Sequence, residues 1–222
     1  TVSHMRIQKF LSQQQILSRR ETEILIRQGL IKVNGKLAEI GMQIDPEKDR
    51  IEILDIGNKT PEKITVAFNK PRGIESSQTE YKGQTLNSVG RLDKESEGLL
   101  LLSNDGTVTA AATGDQHLIE KEYEVTTQEN IHPNQIKKMS SGIYLEDGMT
   151  LPAKVTLINK NNFLIILKEG RKHQLRRMAA ALKLTVTKLK RIRIGNIKLG
   201  DLKIGEYKVI SLEEITILKS LS

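Results

Sequence analysis

The sequence predicts an α+β protein: a small α-β front domain followed by a larger domain built on a mainly antiparallel mixed sheet. Three observations predict it. Helical signals lead at the front, where Ser18 and Glu21 open an apolar-striped segment. After residue 63, strand-like runs outnumber helical ones, and most are short and joined by turn residues, as antiparallel neighbours are. Between the two lies DIGNKTPEK, which gathers Gly, Asn and Pro and has little to bury. The division that follows is 5–55 for the front domain, 56–62 for a linker and 63–222 for the second domain.

Taken in order, the front domain reads as helix, helix, then small strands. Ser18 with Glu21 is a capping box: the hydroxyl takes a free amide of the first turn, and the carboxylate answers the Ser amide. This helix runs through EILIRQ and stops at Gly29. Ile31 and Val33 alternate with polar residues, and Asn34-Gly35 favours a tight type I′ turn. RIEIL is the last strand, after the turn at Asp45-Pro46. In the second domain Ile64, Val66 and Phe68 alternate before Lys70-Pro71-Arg72-Gly73 breaks the run. GLLLLSNDG is a buried strand ending in a turn, and EYEVTT is a strand. A helix follows Pro133, and KVTLIN with FLIILKEG makes a hairpin around residues 160–162. RKHQLRRMAAALK is a helix with Leu175, Met178 and Leu182 on one face and Arg171 on the same side. Short strands close the chain. No internal repeat or low-complexity segment is present.

Composition narrows the function. Lys and Arg number 35 against 27 Asp and Glu, a net charge of +8 that favours polyanions, nucleic acid first and an anionic membrane second. Hydrophobic residues at 37% suffice for a packed core, but aromatics at 3% and no Trp leave it to Ile, Leu and Val. No apolar run approaches the roughly 18–20 residues that span a bilayer. Thr1–His4 read as the remnant of an expression tag, no secretory signal is expected, and the cytoplasm is the simplest compartment. Without Cys there is no disulfide, thiolate metal site or Cys nucleophile, and four scattered His lack metal-ligand spacing.

Three segments carry chemistry. In GRLDKESEGLLLLSNDG, Asp93 sits beside Arg91 just before the apolar strand; a carboxylate near a cation stays ionised and can serve as nucleophile or base. Taken alone, the segment favours a turn Asp bonding local amides. In EKEYEV, Tyr123 offers a ring that could stack on a flipped base or merely pack across strands. RKHQLRRM opens the most basic stretch: residues 171–203 hold 11 Lys or Arg and 1 Asp, a net of +10 that exceeds the whole chain's. Such focusing is what a phosphate backbone attracts. A glycoside hydrolase pairing Asp93 with Glu95 or Glu97 is a third reading, but that cluster suits an anionic polymer better than a neutral sugar.

RIQKFLSQQQILSRRETEILIRQGLIKVNGK resembles the S4 RNA-binding domain. The resemblance implies RNA contact by Arg6, Lys9, Arg19, Arg20, Arg27 and Lys32. Arg19 and Arg20 stand at a helix N-terminus, where the dipole disfavours cations, so stability alone would not choose them. Together FNKPRG, GRLDKESEGLLLLSND, EKEY, EGRKHQLRRM, LKRIRIG and LGDLKIGEY, in that order, resemble the RsuA-type RNA pseudouridine synthases over almost the whole chain.

That resemblance implies an isomerase that converts a uridine of structured RNA, foremost ribosomal RNA of the large subunit, to pseudouridine without metal or other cofactor. Asp93 matches the essential carboxylate, Arg91 the residue that helps displace the base, and Tyr123 the ring that stacks on uracil. Arg176 matches the partner of the Asp, Leu175 the apolar residue beside the pocket, and Lys70 and Pro71 a supporting motif. Arg171, Lys172, Arg177, Lys190 and Arg191 are further RNA-binding candidates in the basic stretch. A monomer is expected. The alternatives are a small-subunit or transfer RNA target, or a non-catalytic S4-type RNA-binding protein. Between Gly73 and Gly90 lie 16 residues, about a dozen fewer than the family usually places in this variable loop. Either the loop is short or residues are missing from the chain as given, near Asn87–Val89.

Overall fold

The computed structural model describes residues 4–14, 16–54, 62–113 and 119–221. At the front, β1 (Met5–Arg6) leads into α1 (Ile7–Gln13), which buries Ile7 and Leu11 one turn apart. In α2 (Arg19–Arg27) the capping box forms as expected: Glu21 N–H donates to Ser18 Oγ at 3.1 Å and Ser18 N–H to the Glu21 carboxylate at 2.7 Å. Gly29, at φ +70°, turns the chain into β2 (Ile31–Val33). Asn34 and Gly35 both have positive φ, the conformation a type I′ turn demands, and lead into β3 (Lys36–Leu37). β4 (Gln43–Ile44) pairs with β1, and β5 (Ile51–Ile53) with β2. Ile7, Leu11, Leu25, Ile26, Ile31 and Ile44 form one small core. The linker expected at 56–62 lies almost entirely outside the described residues.

The second domain begins with β6 (Thr65–Lys70). The hairpin β7 (Thr79–Tyr81) and β8 (Gln84–Val89) follows, then β9 (Glu97–Ser103) and α3 (Gly106–Thr113). Next come β10 (Lys121–Thr127), α4 (Pro133–Ser141), β11 (Tyr144–Leu145), β12 (Gly148–Met149), and the expected hairpin β13 (Lys154–Asn159) and β14 (Asn162–Leu167). The chain ends with α5 (Gln174–Ala181), β15 (Val186–Ile194), β16 (Ile197–Lys198), β17 (Tyr207–Val209) and α6 (Leu212–Ser220). Ten strands make one sheet in the order β13-β14-β10-β15-β9-β6-β17, with β16 beside β15, β8 beside β9 and β7 beside β8. Every pairing in it is antiparallel except β9 with β15, where Lys190 faces Glu97 and Arg191 faces Gly98. That short parallel step joins two antiparallel halves.

Three expectations need correction. β6 does not alternate: Val66 and Ala67 are both buried, because helices cover one face and the β7–β8 side packs the other. α5 starts at Gln174, so Arg171 lies before the helix and not on its Leu175–Met178 face. The C-terminal strands are followed by a helix, α6, opened by a second capping box at Ser211 and Glu214. Around the short loop, β8 runs without a break through Asn87–Val89, paired to Leu101–Ser103.

The two domains touch where their helices begin. A Cβ on Gly106, at the start of α3, would overlap the Ser18 side chain at the start of α2. Lys63 lies 3.5 Å from Glu21 and 3.4 Å from Asp105, bridging the domains. Burial alone would raise the Asp105 carboxyl, but hydrogen bonds from Thr107 and the charges of Lys63 and Lys219 hold it below its ordinary value.

Candidate active site

The loop between β8 and β9 carries Asp93 to the point where the two half-sheets join. Gly90 takes φ +74° at the end of β8. Ser76 then clasps Leu92, its hydroxyl donating to the Leu92 carbonyl at 2.7 Å and accepting the Leu92 amide at 2.9 Å. Ser96 N–H donates to the Asp93 carbonyl and Gly73 N–H to the Lys94 carbonyl, at 2.9 and 2.8 Å. The segment after β6 therefore fastens the loop from outside. Beneath it Lys70 is fully buried, its Nζ donating to the Pro71 and Ile74 carbonyls at 2.9 and 2.6 Å. Burial pushes the Lys70 ammonium below its ordinary range, while the nearby Asp93 charge pulls it up.

A cleft of about 580 Å³ opens over this loop, a volume suited to one small ligand. Asp93, Arg91, Tyr123, Leu175 and Arg176 all line it. The Asp93 side chain is about one third exposed (34%), so it is open to a ligand without being bathed in water. Tyr123 stands on β10 opposite Ile165 on one side and Arg191 on the other, packed against both neighbouring cores. Leu175, on the first turn of α5, is buried in the wall. Five segments, within 89–96, 112–113, 121–123, 167–176 and 189–194, thus meet in one cleft.

The ion pair expected between Arg176 and Asp93 is not the one formed. Among the described residues, the basic side chain within ion-pair distance of Asp93 is His173, whose Nε2 lies 3.5 Å from Oδ1 and makes an ion pair when protonated. Arg176 instead donates to the Glu95 carbonyl at 3.0 Å and the Val186 carbonyl at 3.2 Å, pinning the Asp93 loop to the start of β15. Sequence reasoning misses His173 because four scattered His without metal-ligand spacing point to no role. Its place inside the HQLR segment was the available signal. It occupies the N-cap position of α5 at φ +51°, in the left-handed region that few non-glycine residues adopt.

The basic stretch divides once side chains are placed. Arg191 is 2% exposed and cannot reach a phosphate backbone outside the protein; its guanidinium crosses the parallel step to the Leu99 and Arg91 carbonyls. Arg171 is turned inward as well, donating to the carbonyls of Asp147, Gly148 and Met149 and to Glu169. Arg177 grips Asp147 through both nitrogens at 2.8 and 2.9 Å, and this hydrogen bonding lowers the Asp147 carboxyl to about 2. Lys172 is exposed at the cleft and Lys190 half-buried. In the front domain Arg6, Lys9, Arg19, Arg20 and Arg27 are exposed and Lys32 half-buried. None of these six forms an ion pair among the described residues. No helix among the described residues is long and apolar enough to cross a membrane.

Chemically, the cleft offers the part-exposed Asp93 carboxylate, a second carboxylate at Glu169 that Arg171 and Gln174 already engage, one phenol ring, an apolar wall and buried cations, an arrangement for holding a flat, electron-rich ring against an anionic group. The S4 domain family model matches residues 5–51, and the RNA pseudouridylate synthase family model matches residues 41–181. The ribosomal large subunit pseudouridine synthase B of Bacillus subtilis is 36% identical over 206 residues, covering 84% of each chain. The dual-specificity RNA pseudouridine synthase RluF of Escherichia coli is 34% identical, covering 86% of this chain and 70% of its own. A crystal structure of a pseudouridylate synthase, 33% identical, superposes with a TM-score of 0.72 over 96% of this chain and 99% of that one. With matches of this extent, the chain belongs to the RNA pseudouridylate synthase family and carries an S4 domain in front of its catalytic domain.

Proposed function

We propose that the protein isomerises a uridine of ribosomal RNA, in the large subunit, with Asp93 as the essential carboxylate and without a cofactor. The observation that carries this reading is the convergence of Asp93, Arg91, Tyr123, Leu175 and Arg176 on one cleft sized for a nucleoside. The choice of RNA leans on the Bacillus subtilis relative, whose name specifies the ribosomal large subunit. Residues 5–55 hold structured RNA by its phosphates while residues 63–222, as a monomer in the cytoplasm, act on the flipped base.

In this reading Arg91, exposed at the cleft mouth, fills the space the uridine vacates and offsets part of the few kcal/mol that unstacking costs. Tyr123 stacks on the uracil and Leu175 closes the apolar side. Asp93 acts at the sugar, as nucleophile or by assisting a glycal, while the N1–C1′ bond breaks and C5 bonds to C1′. Arg176 contributes by holding the Asp93 loop through the Glu95 carbonyl rather than by touching the carboxylate.

The test is tritium release from RNA carrying uridine labelled at C5, since only isomerisation frees that label. Wild type should release it and Asp93→Asn should not. Mapping pseudouridine in ribosomal and transfer RNA of cells with and without the gene identifies the target. Sites lost from small-subunit or transfer RNA would move the target, and RNA binding without release would leave only a binding protein.

A further inference from the structure

The cleft has a cationic floor that the roles above leave unused. Arg191 is 2% exposed, yet it lines the cleft directly across the strand pair from Tyr123. Its Nε donates to the Leu99 carbonyl at 2.7 Å and its Nη1 to the Arg91 carbonyl at 3.2 Å. Its Nη2 is buried and has no hydrogen-bond partner among the described residues. Lys121, two residues before Tyr123 on β10, lines the same cleft and donates to the Ile119 carbonyl at 3.3 Å. Burial lowers the Lys121 ammonium and the Arg191 charge lowers it further, so the two cations sense each other. Among the described residues neither forms an ion pair with a carboxylate. Buried, uncompensated positive charge is costly unless something electron-rich arrives to meet it.

What arrives is fixed by depth and by chemistry. Phosphates of an RNA strand remain outside when a nucleotide flips, so the part that reaches a 2%-exposed guanidinium is the base. Breaking N1–C1′ sends the bonding electron pair onto the uracil, which becomes an anion delocalised over N1 and its carbonyl oxygens. We propose that Arg191 Nη2, with Lys121 beside it, binds a uracil carbonyl oxygen and stabilises the detached uracil anion. This rests on the reading that a uridine reacts in this cleft.

The geometry of the rearrangement suits a single fixed donor. Rotating uracil about its N3–C6 axis exchanges N1 with C5 and, in the same motion, O2 with O4. A donor that holds O2 before the rotation meets O4 after it. The balance closes without a co-reactant. Positive charge at C1′ is met by Asp93, C5 then bonds to C1′, C5 loses its proton and N1 gains one. Preorganised donors of this kind act where the negative charge develops, and removing one such donor costs about 100–1,000-fold in turnover.

The experiment compares leaving groups. Fluorine at C5 withdraws electrons and stabilises the uracil anion without the protein's help. Arg191→Lys and Lys121→Met are assayed in single turnover on transcripts carrying uridine or 5-fluorouridine at the mapped site, reading loss of the starting nucleoside. Melting curves check folding, and RNA affinity is measured in parallel. Arg191→Lys is expected to slow the uridine substrate about 100-fold with RNA affinity within about twofold, and to slow the fluorinated one at least about 10-fold less. Lys121→Met is expected to show the same selectivity at smaller size. Equal losses on both substrates, in whichever variant folds, would overturn the proposal, because a strut that only joins strands cannot distinguish leaving groups. Absence of turnover by wild type on the uridine transcript is a different outcome: it removes the function proposed above, and this inference with it.

Discussion

Gly98 and Arg191 meet backbone to backbone at the parallel step of the sheet. A Cβ on Gly98 would overlap the Arg191 carbonyl oxygen and stand 2.8 Å from its amide nitrogen, and Gly98 also takes φ +102°. Both the conformation and the space exclude a side chain. Gly98→Ala is therefore expected to destabilise the fold by about 2–5 kcal/mol, left-handed strain plus overpacking against backbone. Gly83, at φ +76° in the β7–β8 turn, has open space around it. Gly83→Ala bears only the strain, about 1–2 kcal/mol. Urea unfolding of the two variants separates the contributions. Equal midpoints would mean that the two half-sheets are not locked at this step.

Arg176 ties the Asp93 loop to β15 through two carbonyls, at 3.0 Å to Glu95 and 3.2 Å to Val186. Arg176→Ala frees a loop whose carboxylate must be placed to within a fraction of an ångström, and misplacement by about 1 Å can cost about 100-fold. Turnover on saturating RNA should fall by about 10–100-fold, with RNA affinity within about twofold. A parallel fall in affinity would make Arg176 a phosphate contact instead.

Local signals were the legible part of this fold. The Ser18–Glu21 box and the Asn34-Gly35 turn are set by neighbouring residues, and both form as read. The same grammar at Ser211–Glu214 opens α6 and was overlooked among expected strands. α3, written GTVTAAAT, gives little amphipathic contrast because α1, α2 and α6 pack around it. Asp93, Arg91, Tyr123, Leu175 and Arg176 line one cleft, as the order of the motifs suggests, but their pairing was not legible, since no sequence spacing states which cation meets Asp93. Arg191 carried an unused clue: alternation puts it on the same side of β15 as buried Leu189, and a charge read only as charge is assigned to the surface.

Asp147 and Arg177 form a bidentate pair that shapes the acid response. The folded carboxyl titrates at about 2 rather than the ordinary 3.8, chiefly through the Arg177 hydrogen bonds. A depressed folded value means that the contribution to stability is present above 3.8 and is lost as pH falls toward 2. Arg177→Gln should return the Asp147 titration, followed by carboxyl NMR, to near its ordinary value. The stability difference between wild type and variant should then shrink between pH 4 and pH 2. A difference that stays constant through that window would assign the effect of Arg177 to packing.

Arg19 and Arg20 open α2 as exposed cations at the end of the helix where the dipole repels them. Their position has no stabilising logic without a polyanion, whereas Arg191 is sealed beneath the cleft. Salt dependence distinguishes the two kinds of cation. Each phosphate neutralised contributes about 0.7–0.9 to the slope of log affinity against log salt. The double variant R19Q/R20Q should therefore lower that slope by about 1–2. R191K should leave the slope unchanged even while turnover collapses. If R19Q/R20Q binds RNA with the wild-type slope, these arginines do not touch the backbone, and the front domain must hold RNA by another face.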